Sequence, residues 1–148
     1  IDESKKRLKL IFDNNPRPMH LVNNNFEILL TNKTLLDMKG VKQEDIVGKH
    51  CYEVYQNRTE LCEKCAISQV LESKKASSIE TKIKVVDGTY KYFRTSAFPI
   101  LTKDNEIVEI VESTEDITKE KIAERKLREK ESLFRTTLYS IGDAVITT

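Results

Sequence analysis

The sequence predicts an α+β fold in which a five-stranded antiparallel sheet carries short helices on one face and continues into a long C-terminal helix. Apolar residues recur every three or four positions between residues 32 and 72, which is the spacing of amphipathic helices. After residue 75 apolar and polar residues alternate, as they do in half-buried strands. Ten of the thirteen residues 119–131 are charged, with no Gly or Pro among them, which indicates an exposed helix.

Length and composition favour one small globular domain. The 148 residues include 39% hydrophobic and 33% charged residues, and 25 Lys and Arg are balanced by 24 Asp and Glu. A net charge of +1 provides no field for nucleic acid or an anionic membrane surface, so we expect neither as a partner. No apolar run approaches the roughly 18 residues of a membrane span. Three cysteines, an odd number, fit a reducing compartment and predict a cytoplasmic protein.

The N-terminal third predicts a helix followed by a hairpin. Ser4 is a suitable N-cap for a short helix, and Pro16 ends it. Residues 19–22 and 26–31 are rich in apolar side chains and are expected to form two strands. The three asparagines at residues 23–25 tolerate the left-handed backbone that a turn between those strands requires.

Short helices are expected next. Asn32 is a good N-cap, and Gly40 is placed to end the helix that Asn32 begins. Two or three further helical segments are predicted, within residues 41–48, 49–55 and 65–72. Helices this short are not stable alone, so we expect them to depend on packing against the sheet.

Three strands complete the predicted sheet, within residues 79–85, 90–101 and 107–114. Asp87 and Gly88 join the first two, because both residues accept a positive φ at little cost. Alternation assigns one side of each strand to the face that packs on the helices. The side chains expected on that face are those of Ile79, Ile83, Val85, Phe93, Thr95, Ala97, Val108 and Ile110.

The C-terminal segment predicts a dimeric helix. Residues 119–140 are expected to be helical, and apolar side chains recur at the seven-residue spacing of a two-stranded coiled coil. That seam consists of Leu127, Phe134 and Ile141, flanked by Ala123 and Leu138. The alternative is a single helix that packs on its own domain. Gly142 and Asp143 are expected to end the helix, and residues 144–148 to begin a new strand.

These features together resemble the PAS (sensory box) family over about residues 6–118. The helix-to-hairpin opening at residues 10–16, Asn32 after the second strand and the strand at residues 92–100 all match. The most specific match is the closing triplet Asp116, Ile117 and Thr118. In that family the triplet lies where the last strand meets a signalling helix, so the resemblance assigns signal output to these three residues.

The resemblance implies three segments. Residues 1–118 form a PAS sensor domain of a cysteine-bearing variant, and residues 119–141 form a coiled-coil signalling linker. Residues 142–148 are similar to the start of a following PAS domain. Because the chain opens on Ile1 without Met, we expect it to be a piece of a longer protein.

The resemblance also implies a function. It predicts a sensory module of a signal-transduction protein, often a histidine kinase of a two-component system, with a small-molecule pocket between sheet and helices. A homodimer through the flanking helix and the linker is expected. The chain lacks the Asn-Cys-Arg-Phe string of flavin light sensors and any His in residues 65–72, so flavin and b-type haem are disfavoured. The alternative is a ligand-free structural module that dimerises and relays signals.

Enzymatic motifs are sparse, so we predict that this chain is not an enzyme. No Gly-x-Ser-x-Gly motif or phosphate-binding glycine loop is present, and His20 and His50 are the two histidines. His20 lies within the first predicted strand, where we expect it to serve as a packing residue.

Three cysteines and a histidine form the strongest chemical motif. His50 and Cys51 are adjacent, and Cys62 and Cys65 have the Cys-x-x-Cys spacing that brings two sulfurs to one ion or to each other. A zinc site, an iron–sulfur cluster, a redox-active Cys62–Cys65 pair and reduced thiols that pack as small hydrophobes all remain open. A helix begins after Cys65, and its partial positive charge is expected to depress the thiol pKa.

The candidate pocket residues are Phe93, Thr95 and Glu112. Glu112 has the same parity as Ile110 on the last strand and is therefore expected to project into the interior. Its partner there is a ligand or the hydroxyl of Tyr52 or Tyr55, because an unpaired interior carboxylate is costly. The alternative places Glu112 near the strand end in water.

Overall fold

The computed structural model describes residues 3–85 and 87–146, and it contains six helices and five strands within them. In chain order they are α1 Glu3–Asp13, β1 Met19–Asn23, β2 Ile28–Thr31, α2 Lys33–Lys39, α3 Gln43–Ile46, α4 Cys51–Gln56, α5 Ala66–Ser73, β3 Ser77–Lys84, β4 Tyr90–Leu101, β5 Ile107–Asp116 and α6 Thr118–Ile146.

The strands form one antiparallel sheet in the order β2-β1-β5-β4-β3. The last strand, β5, therefore lies in the centre, between β1 and β4. The predicted α+β fold, with its five-stranded antiparallel sheet and long C-terminal helix, is confirmed.

Contacts divide the chain into two compact units, which we call the sheet unit and the helix unit. The sheet unit comprises Ile1–Thr81 and Phe93–Asp116, and the helix unit comprises Lys82–Tyr92 and Ile117–Thr148. The sheet unit therefore contains β1, β2, β5, most of β3 and β4, and helices α1 to α5, whereas the helix unit contains α6 and the ends of β3 and β4 that flank the hairpin turn.

The core of the sheet unit is apolar and lies between the sheet and its short helices. Its buried members are Val22, Ile28, Ile46, Cys51, Ala66, Ile67, Val70, Ala97 and Ile110. Fully burying each of the larger aliphatic side chains contributes about 1.5–3 kcal/mol, and this contribution holds helices that are too short to be stable alone.

Asn32 joins three elements at one buried side chain. Its Oδ1 accepts hydrogen bonds from the N–H of Leu35 at 3.0 Å, which caps α2, and from the N–H of Met19 at 3.0 Å, where β1 begins. Its Nδ2 donates to the carbonyls of Phe12 at 3.0 Å and Arg17 at 2.9 Å. Asn32 is 0% exposed, so its side chain connects α1, β1 and α2 in the interior as well as capping α2.

Two interior assignments are wrong. Val108 is 47% exposed because the pairing shifts by one residue between Ile100 and Leu101, so that Ile107 packs against the core instead. Such a bulge reverses the side-chain parity on one side of it. Ile83 is 50% exposed, since the alternation of burial along β3 stops after Thr81.

The predicted end of the long helix is also wrong. Helix α6 continues through Gly142 and Asp143 to Ile146, where a break and a new strand were expected. Glycine inside a helix costs only about 1 kcal/mol relative to alanine, which a long helix tolerates. The last two residues of the predicted strand, 147 and 148, lie outside the described residues.

Candidate functional site

A carboxylate and an imidazole meet in the interior of the sheet unit. Glu112 on β5 is the direct cross-strand partner of His20 on β1, so both side chains point to the same face as Ala97 and Ile110. His20 Nε2 lies 2.8 Å from Glu112 Oε1. The side chain of His20 is 5% exposed and that of Glu112 is 18% exposed, so water screens this contact weakly.

Two side chains with hydroxyl groups, Tyr55 and Thr31, lie beside the His20–Glu112 pair. The ring centroids of Tyr55 and His20 are 4.8 Å apart, and the Tyr55 hydroxyl lies 2.5 Å from Thr31 Oγ1. Burial raises the pKa of Tyr55 to about 12, although its hydrogen bond with Thr31 opposes that shift. Tyr55 is therefore a neutral hydrogen-bonding group at neutral pH. We call His20, Thr31, Tyr55 and Glu112 the interior polar cluster.

Two buried polar atoms beside this cluster have no partner among the described residues: His20 Nδ1 and Gln43 Nε2. The orientation of the Gln43 amide is fixed, because its Oε1 accepts a hydrogen bond from the N–H of Thr31 at 2.7 Å. If Nε2 of His20 donates to Glu112, its Nδ1 is an acceptor. An unpaired buried polar group costs about 1–3 kcal/mol, so both atoms favour an added hydrogen-bonding group nearby.

Cys51 borders the interior polar cluster. It begins α4 and is buried, and burial together with the Glu112 carboxylate raises its thiol pKa to about 12. Burial raises the pKa of Cys62 as well, with Cys65 adding to the shift. The pKa of Cys62 is therefore shifted in the direction opposite to the expected depression, because burial disfavours the charged thiolate.

The cysteines are all free thiols, and they are not arranged around His50. The His50 ring stacks on Tyr52 at 5.0 Å between centroids, and its Nδ1 lies 3.5 Å from Glu53 Oε1. Within the described residues, no three His, Cys, Asp or Glu side chains lie close enough together to hold a metal ion. Zinc binding at Cys51, Cys62, Cys65 and His50 would require movement of side chains and stays a prediction, as does a Cys62–Cys65 disulfide.

Phe93 and Thr95 share the interior face of the sheet with Glu112 but lie further along β4. Thr95 is opposite Thr114, with 3.4 Å between the two hydroxyl oxygens, and Phe93 is opposite Asp116. The residue of β4 beside Glu112 is Ala97. The structure thus brings Glu112 together with His20 rather than with Phe93 or Thr95.

Sequence analysis missed His20 and Gln43 as site residues. His20 was assigned a packing role, yet it is the group that holds Glu112. The alternation Met19, His20, Leu21, Val22 already places His20 on the face of Val22, which is the signal that identifies it as an interior histidine.

The triplet at the end of the sheet connects β5 to α6. Strand β5 ends at Asp116 and α6 begins at Thr118, so Ile117 alone separates the two elements. Within the helix unit, the Ile117 N–H donates to the Tyr92 carbonyl at 2.8 Å, and Thr118 Oγ1 accepts from the Tyr92 N–H at 3.0 Å. The first residues of α6 are therefore bonded to the backbone of β4.

These features define a small α+β domain with a polar cluster beside its apolar core and a last strand that continues into a long helix. The sequence matches the family model described as PAS domain over residues 16–119. The chain therefore belongs to the PAS domain family.

Solved structures share this fold at low sequence identity. The PAS domain of Bordetella pertussis BvgS has a TM-score of 0.56 at 18% identity, covering 88% of this chain and 99% of its own. A sensory box sensor histidine kinase from Vibrio cholerae has a TM-score of 0.57 at 19% identity, covering 78% of this chain and 93% of that one.

The similarity extends over most of this chain in a third structure. An RNA-binding light-oxygen-voltage receptor aligns with a TM-score of 0.66 at 13% identity over 92% of this chain. The alignment spans 39% of that receptor's length. Comparison with curated proteins gave no significant match. No helix in the described part of the chain is both long and apolar enough to cross a membrane.

Proposed function

We propose that this chain is the sensory and relay module of a signal-transduction protein, possessing a regulatory rather than a catalytic role. The interior polar cluster receives the signal, and β5 carries it to α6. The observation that carries this proposal is the position of Glu112. It contacts His20 in the interior, and it lies on the strand that continues through Asp116, Ile117 and Thr118 into α6.

A small molecule with a hydroxyl or a similar group, which both donates and accepts hydrogen bonds, fits the cluster best. A donor would satisfy His20 Nδ1 and an acceptor would satisfy Gln43 Nε2, the two buried atoms without partners among the described residues. Binding would strengthen contacts on β1, β5 and α3 together. A ligand shifts an equilibrium between two signalling states only by the difference between its binding free energies for them.

The output of the module is a homodimer formed by α6. Four apolar side chains of the predicted seam are exposed in the single chain: Leu127, Phe134, Leu138 and Ile141. Pairing of two α6 helices along the seam would bury them. A parent histidine kinase is the output enzyme that the PAS family membership favours. A ligand-free module that dimerises in the same way is the alternative.

Native mass spectrometry of the chain purified anaerobically tests ligand sensing. We expect the wild-type protein to carry the added mass of a small molecule and His20→Phe to lose it, because Phe removes the acceptor and fills its space. His50→Phe is the matched control, since His50 lies outside the cluster, and it should keep the added mass.

Two results would contradict the ligand proposal. A wild-type protein of bare polypeptide mass would favour the ligand-free relay module. Bound zinc or iron, lost in Cys62→Ser but kept in His20→Phe, would move the sensing site to the cysteines.

A further inference from the structure

The helix unit contains a second attachment between α6 and the β3–β4 hairpin, formed by the side chain of Tyr92. Arg125 Nη2 donates a hydrogen bond to the Tyr92 hydroxyl oxygen at 3.0 Å. Lys82 Nζ lies 4.1 Å from the centroid of the Tyr90 ring and 5.8 Å from that of Tyr92. The aromatic rings of Tyr90 and Tyr92 on the hairpin thus lie close to two cations, Lys82 of the hairpin and Arg125 of α6.

We propose that Tyr92 and Arg125 form a latch that fixes the first two turns of α6 on the hairpin, and that opening of this latch frees the helix in signalling. This inference rests on the proposed relay function, for which it supplies the regulated contact. The signalling helix would then be controlled by β4 as well as by the strand from which it continues.

The two attachments are far enough apart along α6 to fix the direction of the helix. The backbone of Tyr92 holds Ile117 and Thr118, while its side chain holds Arg125, seven residues further on. Seven residues of α-helix rise about 10 Å. A helix bonded at one point pivots about it, whereas a second bond about 10 Å away fixes its direction relative to the hairpin. Loss of the Arg125 contact alone therefore restores the pivot without detaching the helix.

Neighbouring charges on α6 form ion pairs along the helix. Arg128 pairs with Glu124 along the helix, and Lys121 Nζ lies 3.8 Å from Glu124 Oε2. Arg125 instead donates out of the helix to the hairpin. Its hydrogen bond is charge-assisted but exposed to solvent, so it is weak enough to open and close during signalling.

Hydrogen exchange of the α6 amides at residues 122–129 tests the latch. Tyr92→Phe removes the acceptor and Arg125→Met removes the donor while keeping good helix propensity. We expect each to raise exchange about three- to tenfold, as loss of one exposed, charge-assisted hydrogen bond implies. The double variant should exceed the single variants only slightly, because one contact is lost in all three.

Arg128→Met is the matched control, since it removes a guanidinium that pairs within the helix. We expect Tyr92→Phe to raise exchange by the same factor with and without this substitution. Exchange in Tyr92→Phe equal to the wild type, or fully additive effects of the two substitutions, would overturn the latch. Failure of the relay proposal is recognised separately, because a wild-type monomer in solution would refute dimeric output while leaving these exchange rates as evidence for the contact.

Discussion

Leu127→Asp is expected to convert the proposed homodimer of this chain into a monomer. Leu127 is 58% exposed on α6 and Phe134, one heptad later, is 65% exposed. A two-stranded coiled coil would bury both, and each buried leucine or phenylalanine stabilises the dimer by about 1.5–3 kcal/mol. The substitution loses that contribution in both protomers and places two carboxylates in the seam. The dissociation constant should rise by at least about 1,000-fold.

Light scattering coupled to size exclusion measures this outcome directly. The wild type should have twice the mass of Leu127→Asp at the same micromolar concentration. Ser132→Asp is the matched control, because five residues along a helix place position 132 about 140° away from Leu127 around the axis. A dimer that survives Leu127→Asp, or a monomeric wild type, would contradict the seam and favour a helix that does not pair.

Asn32→Ala is expected to lower the free energy of unfolding by about 2–4 kcal/mol. The substitution removes an N-cap together with three further hydrogen bonds of a fully buried amide, and it leaves the Phe12 and Arg17 carbonyls with one partner fewer. Loss of a cap costs about 1 kcal/mol, and each buried group left unpaired adds about 1–3 kcal/mol before local relaxation offsets part of the loss.

Urea denaturation provides the measurement, with two matched variants. Asn24→Ala alters an exposed asparagine of the β1–β2 turn and should change stability by less than about 0.5 kcal/mol. Asn32→Asp keeps the oxygen that accepts from Leu35 and Met19 but loses the donor, so its loss should be substantial as well. An Asn32→Ala protein as stable as Asn24→Ala would show that the hydrogen bonds of Asn32 contribute little to the free energy of unfolding.

Local patterns predicted most of the fold. The two hairpins, the helix after Asn32 with two or three more short helices behind it, and the alternation of β4 were anticipated, because periodicity and turn residues act over a few positions. Parity also placed Glu112 in the interior correctly. What local patterns could not supply is the partner of Glu112, since His20 lies 92 residues away in sequence and meets it only through the β1–β5 register.

The errors have similar physical origins. The exposure of Val108 depends on a one-residue bulge against β4, which the sequence does not mark with Gly. The raised pKa of Cys62 reflects its burial, which is decided by tertiary packing rather than by its position before a helix. The continuation of α6 through Gly142 reflects the small cost of one helical glycine, which the length of the preceding helix outweighs.

Coupling between the interior polar cluster and α6 is the central claim. Hydrogen exchange of α6 in Glu112→Gln, compared with the wild type, measures it most directly. Glu109→Gln is the matched control, because Glu109 lies on the same strand as Glu112 but three positions away, so its side chain has the opposite parity. Exchange in α4, which carries Tyr55 and Cys51, reports whether the cluster itself has responded.

We expect Glu112→Gln to change exchange in both α4 and α6, by about threefold or more in α6, as a shift of about 0.7 kcal/mol or more in a two-state equilibrium implies. Glu109→Gln should leave α6 unchanged. Altered exchange in α4 of Glu112→Gln together with wild-type exchange throughout α6 would contradict the relay.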